Sequence, residues 1–120
     1  MDLISTHTVM TSDIGVNGNL FGGRLMAWID EAAAAYAKEK SCSPSIVTKK
    51  VSELIFIEPA QVNDLLKIYG KVERIGNTSI TIGIHARRLD VTTREEVTMC
   101  TTSLVFVSVD HEGRPKKIAL

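Results

Sequence analysis

Residues 19–37, NLFGGRLMAWIDEAAAAYA, are the only stretch of this chain with a helical period lasting several turns. From Ser45 onward the period falls to two, in runs rich in Ile, Val and Thr separated by the short breaks EPAQ, GNT and DVTTREE. One amphipathic helix and a set of strands with short links can bury their apolar surfaces together only if the helix lies across one face of the sheet. The pattern predicts strands over 3–10, 46–57, 62–75, 79–89 and 97–109. Short links make sequence neighbours antiparallel neighbours. The expected fold is α+β, one long helix wrapped by a curved five-stranded antiparallel sheet, in a single domain over residues 1–120.

On a wheel of about 100° per residue, Leu25, Met26, Ile29, Ala33, Tyr36 and Ala37 form one arc, and Arg24, Glu31 and Lys38 the opposite one. Asp30 falls just past the apolar edge, flanked by Ala27 and Ala34, away from the centre of the solvent face. KEKSCSP, residues 38–44, then closes the helix with charge and a proline. The alternation is clearest in Ile80, Ile82 and Ile84, and in Val97, Met99, Thr101, Ser103, Val105 and Val107. A sheet covered by one helix keeps open edges, which predicts a homodimer or a larger assembly.

Fourteen basic residues balance fourteen acidic ones, so no global field points to nucleic acid or to an anionic membrane. No run approaches the ~20 apolar residues of a membrane span, and MDLISTHTV has neither the basic start nor the apolar run of a signal peptide. The expectation is a cytoplasmic protein. Cys42 and Cys100 lack CxxC spacing, and His7, His85 and His111 do not cluster, so neither a metal site nor a redox pair is expected.

The helix carries the candidate chemistry. Gly22 and Gly23 either pack the helix end closely against a strand or leave bare N–H groups for an anion or a developing oxyanion. Asp30 is either solvated or, being off the polar arc, partly withdrawn from water and fit to act as a base or nucleophile. There is no GxSxG elbow. The tail DHEGRPKKIAL puts Arg114, Lys116 and Lys117 within four positions, as a solvated end or as a phosphate clamp. Gly76, Asn77, Thr78 and Ser79 form a tight turn.

Taken in order, SDxxxNGNLFGGRLMAWIDEAA, IVTKKVSELIFIEPAQVNDLL, GNTSI and VSVDHEGRPKKI resemble the hotdog-fold acyl-CoA thioesterases, both the short bacterial acyl-CoA hydrolases and the brain-type cytosolic enzyme. The resemblance implies the hotdog fold, hydrolysis of acyl-CoA to carboxylic acid and CoA, no cofactor beyond the CoA of the substrate, and oligomers built from dimers, such as a hexamer. It places the catalytic aspartate on Asp30 and the glycine pair on Gly22 and Gly23. It gives the CoA nucleotide to the turn Gly76, Asn77, Thr78 and Ser79 and to Arg114, Lys116 and Lys117. Family members commonly carry Thr-Asn where this chain has Ile14-Gly15, and that asparagine is their catalytic amide. Asn17 is the nearest substitute in the loop and Thr48 a second candidate. A non-catalytic acyl-CoA-binding module is the alternative reading. A hydratase or dehydratase ranks last, since TSDIGVNGN has no histidine.

Eight residues separate Gly22 from Asp30, about 12 Å along a helix at ~1.5 Å per residue. One carbonyl cannot touch both. If both serve one thioester, they come from different subunits.

Overall fold

The computed structural model describes residues 1–119; Leu120, the last residue of the expected domain, lies outside them. Strand β1 (Asp2–Thr8) and a 3-10 turn (Thr11–Asp13) lead into helix α1 (Gly22–Ser41). Strands β2 (Ile46–Val51), β3 (Ile55–Phe56), β4 (Leu65–Ile75), β5 (Ser79–Leu89) and β6 (Glu96–Ser108) follow. All pairings are antiparallel, in the order β1-β4-β5-β6-β2, with β3 also on β6. This is the expected architecture, one helix on one face of a sheet whose edges are β1 and β2.

Several boundaries differ from the sequence reading, three of them in ways that alter an element. The strand expected over 46–57 is split into β2 and β3. Ser52 stays on the ladder, its N–H donating to the Ser103 carbonyl at 2.8 Å, but Glu53 and Leu54 leave it. The strand expected from 62 starts at Leu65, because Asp64 accepts the Gln61 N–H at 2.7 Å and Asn63 adopts φ 76°, making a tight turn. The helix runs on to Ser41. Lys38, Glu39 and Lys40 are good helix formers, and Lys38 and Lys40 lie at the negative end of the dipole. The Ser41 hydroxyl donates to the Ala37 carbonyl at 2.6 Å, and Cys42 ends the helix at φ 53°, ψ 34°.

Leu25, Ile29, Ala33, Tyr36 and Ala37 of α1 bury themselves against Leu66 and Ile68 of β4, Ile80, Ile82 and Ile84 of β5, and Leu104 and Phe106 of β6. Each large apolar side chain withdrawn in this way contributes ~1.5–3 kcal/mol. In β6 the residues under the helix are Cys100, Thr102, Leu104 and Phe106, so the odd-numbered series, apart from Met99, is not the core series over that stretch. A register shift between Ala86 and Arg87 lets Met99 and Cys100 both turn inward. Thr101, Ser103 and Val105 are only partly buried and alternate with the core series.

Trp28 packs inward against β1, its indole stacked on the His7 imidazole with centroids 4.4 Å apart and planes 7° from parallel. Burial lowers the His7 pKa below 6.5, against smaller opposing effects of Glu31 and Asp13. A folded-state pKa depressed in this way stabilises the fold above the unfolded value and loses that contribution as pH falls through the folded value. Trp28 is the only tryptophan, so its fluorescence reports this titration. The expected midpoint lies below 6.5 and disappears in His7→Phe; a midpoint at or above 6.5 would contradict the burial argument.

Candidate active site

Asp30 is held by β2. Thr48 pairs with Phe106 across the β2–β6 ladder, and cross-strand partners share a face. The Phe106 ring is buried under the helix, so Thr48 looks toward α1, where its hydroxyl donates to Asp30 Oδ1 at 2.9 Å. Asp30 is half-buried, and Thr48 is open to solvent. One carboxylate oxygen is fixed by a neutral donor, which orients the acid without neutralising it.

The helix starts without a conventional cap. Phe21 occupies the cap position in extended conformation, with no side-chain acceptor for the first turn and no acidic residue within it. The N–H groups of Arg24 and Leu25 donate to the Phe21 carbonyl at 3.0 and 3.2 Å, whereas those of Gly22 and Gly23 meet no protein acceptor among the described residues. They are two free donors at the positive end of a 20-residue helix. A Cβ on Gly23 would come within 2.6 Å of the Phe21 ring, so a side chain there would displace it.

Beside this helix end lies a groove of about 350 Å³, walled by Asn17, Gly22, Leu25, Phe56, Ile57 and Met99 among others. It joins Gly22 to Asn17. The Asn17 Oδ1 accepts the Asn19 N–H at 3.1 Å, so its carbonyl is engaged within the loop. Gly15 lies outside this groove, in a hollow formed with Ile14, Val16, Phe21 and Arg24. A Cβ there would touch the Phe21 side chain at 3.4 Å, an ordinary contact.

The two nucleotide-binding candidates meet each other. The tail folds back on β6, with a bridge between Val109 and Pro115 and the Lys116 N–H on the Ser108 carbonyl at 2.7 Å. The Ile118 N–H then donates to the Asn77 carbonyl at 2.9 Å, and the Ser108 N–H to the Thr78 carbonyl at 2.9 Å. Gly76, Asn77, Thr78 and Ser79 are thus tied to the segment carrying Arg114, Lys116 and Lys117, whose side chains are exposed. Arg114 pairs with Glu112 at 3.5 Å on the surface. This turn and tail flank the end of β6 that also carries Phe106, the partner of Thr48.

Within one chain, then, Asp30 meets Thr48, Gly22 shares a groove with Asn17, and the turn meets the tail. Asp30 and the glycine pair remain apart. Sequence reasoning missed Asp13, a buried carboxylate paired with Arg24 at 3.2 Å, because two charges eleven positions apart in a loop and a helix carry no periodic signal. Among the described residues no three of His, Cys, Asp and Glu come together as metal ligands. Burial pushes the Cys100 thiol up to about 11 and lowers the His85 pKa, leaving both uncharged at neutral pH.

The thioesterase superfamily model matches residues 17–95. The chain is 30% identical to the acyl-CoA thioester hydrolase YciA of Escherichia coli, over 98% of its own length and 90% of the relative. Among solved structures, the aspartate-to-alanine mutant of a hexameric broad specificity acyl-coenzyme A thioesterase superposes with a TM-score of 0.93 at 30% identity, covering 98% of this chain and 86% of that one. An acyl-CoA hydrolase of Staphylococcus aureus, solved in complex with butyryl coenzyme A and coenzyme A, gives a TM-score of 0.89 at 30% identity, covering 95% and 69%. That enzyme has also been solved with an asparagine, an aspartate or a threonine replaced by alanine.

Proposed function

This chain belongs to the thioesterase superfamily and is an acyl-CoA thioesterase, and we propose that it cleaves its substrate at a site shared between two copies, with Asp30 from one and the Gly22-Gly23 donors from the other. The observation that carries this reading is the separation within one chain of a fixed carboxylate from a pair of unsatisfied N–H groups. Eight helical residues span about 12 Å, several times the reach of one carbonyl. The β2–β3 edge supports a second copy: Val47, Val51, Ile55, Phe56 and Ile57 are all exposed along it. A two-fold axis there would use one patch twice. The hexameric relatives support assembly of such dimers into a hexamer.

In this site the thioester carbonyl oxygen accepts from Gly22 or Gly23 of one copy. Asp30 of the other takes a proton from water as the water oxygen bonds to the carbonyl carbon. The negative charge moves to the carbonyl oxygen, where the N–H groups and helix dipole stabilise it. Collapse breaks the carbon–sulfur bond, and the CoA thiolate takes up the proton. Direct attack by Asp30, giving a mixed anhydride that water then opens, uses the same donors. Thr48 keeps the carboxylate aimed. No metal or further cofactor enters either route. The joined turn and tail supply Arg114, Lys116 and Lys117 to the CoA phosphates.

The asparagine and the aspartate replaced in the Staphylococcus aureus enzyme stand fifteen residues apart, and fifteen before Asp30 this chain has Gly15. Asn17, whose amide nitrogen remains available, is the candidate replacement in the loop.

Positioned general-base catalysis is worth roughly 10² to 10⁴ in rate. Asp30→Asn should therefore lower acyl-CoA turnover at least about a hundredfold while the elution volume of the assembly stays unchanged; near-normal turnover would sink the assignment. Gly15→Asn, whose Cβ would meet Phe21 at an ordinary contact distance, should raise kcat, whereas an unchanged or lower value would show that the amide is not what the chain lacks. Arg114→Glu or Lys117→Glu should weaken CoA binding, with the loss largest at low salt. An affinity equal to the parent's at every salt concentration would remove the tail from the binding site.

A further inference from the structure

We propose that Asp13 is the positioning residue of the oxyanion site, holding Gly22 and Gly23 from both sides. This inference rests on the reading of those two N–H groups as the oxyanion donors.

Gly22 and Gly23 have no side chains with which to anchor themselves, and glycine is the residue that loses most conformational freedom on ordering. The N-cap residue offers no side-chain acceptor, and no acidic residue lies in the first turn. A helix start of this kind frays unless something outside the helix holds it. Asp13 does so at two points. Its backbone carbonyl accepts the N–H of Phe21 at 2.8 Å, immediately before the glycine pair. Its carboxylate pairs with Arg24 Nε at 3.2 Å, immediately after the pair.

The anchor is itself fixed. Asp13 is 8% exposed, the remaining carboxylate oxygen accepts the Met10 N–H at 2.9 Å, and the Asp13 N–H donates to the Met10 carbonyl at 2.9 Å. Met10 follows β1 closely, and Val9 beside it is bonded to Asn63 and Asp64 in the turn just before β4. The direction of the two free N–H groups is thereby referred to the sheet. Arg24 has a second consequence. A carboxylate beside a developing oxyanion would oppose it, and the guanidinium offsets that charge.

Asp13→Asn keeps an acceptor for Met10 and the carbonyl for Phe21 but removes the ion pair. Arg24→Gln removes the same pair from its solvent-facing partner. Lys67→Gln, which breaks the pair of Lys67 with Glu96 on the far face of the sheet, is the control. All are made in the full-length assembled protein and carried through two measurements. In hydrogen–deuterium exchange, the segment 20–25 should exchange at least about tenfold faster in Asp13→Asn and Arg24→Gln than in the parent or in Lys67→Gln. In acyl-CoA kinetics, both variants should lose about tenfold or more in kcat with KM within about twofold, and Arg24→Lys should recover part of it.

Unchanged exchange at 20–25 would overturn the positioning role, whether or not the parent hydrolyses acyl-CoA. Faster exchange with unchanged kcat would overturn the link to the oxyanion site, as would a change confined to KM. A parent with no turnover on any acyl-CoA would instead fail the functional reading, and the exchange result would still decide whether Asp13 holds the helix start. If Asp13→Asn does not fold, Arg24→Gln decides the question in its place, since its side chain is 47% exposed.

Discussion

A helix climbs about 1.5 Å for each residue, and this spacing governs how the molecule can work. Asp30 and the Gly22-Gly23 pair are on one rigid rod of 20 residues packed along its length on the sheet. No loop motion can bring them together without unfolding the helix. Under the proposed mechanism the chain carries two incomplete sites, one with an oriented acid and one with unsatisfied donors. On that reading only another copy completes either, and the exposed apolar edge along β2 and β3 offers a surface for it.

The sheet sets each half in place. Thr48 reaches Asp30 because its cross-strand partner Phe106 is buried beneath the helix. The basic tail reaches the turn at Asn77 because it doubles back over Ser108 and donates to the turn's carbonyl. In both cases a backbone ladder does the positioning, and Thr48, Arg114, Lys116 and Lys117 are left polar and accessible. The helix start differs, since glycines cannot be held through side chains, and there Asp13 in the preceding loop bonds to the residue on either side of the pair.

Most of the architecture was legible because the periodicities were long: 20 residues of helix, and an isoleucine alternation in β5 that matches its buried face. What escaped were features set by single local bonds. The helix runs past Ala37 because Lys38, Glu39 and Lys40 favour helix although they are polar. The strand over 46–57 breaks at Glu53 and Leu54, where nothing in the residue pattern marks a departure from the ladder. In β6, β-branched Thr and Val on the outer face imitate a buried series, and a register shift at Met99 changes which residues face inward. At the site, Asp30 and the glycine pair stood out because an off-arc acid and a double glycine break the helical pattern. Thr48 was only a second candidate for the missing amide, since its contact with Asp30 depends on a strand brought to the helix from eighteen positions away. Asp13 had no signal of that kind at all.

Subunit complementation tests the shared site most directly. Gly22 stands at the first helical position, where proline is tolerated, and Phe21 before it is already extended. Gly22→Pro thus deletes one N–H while the helix remains, and a Cβ there meets only the Phe56 ring at 3.5 Å. This variant is unfolded, mixed in equal amounts with Asp30→Asn, and reassembled. In each mixed dimer one site carries both defects and the other carries none. The account predicts that the mixture of two inactive proteins recovers about a quarter of the parent's activity. Reassembled mixed dimers with no activity would place acid and donors in the same chain and contradict it.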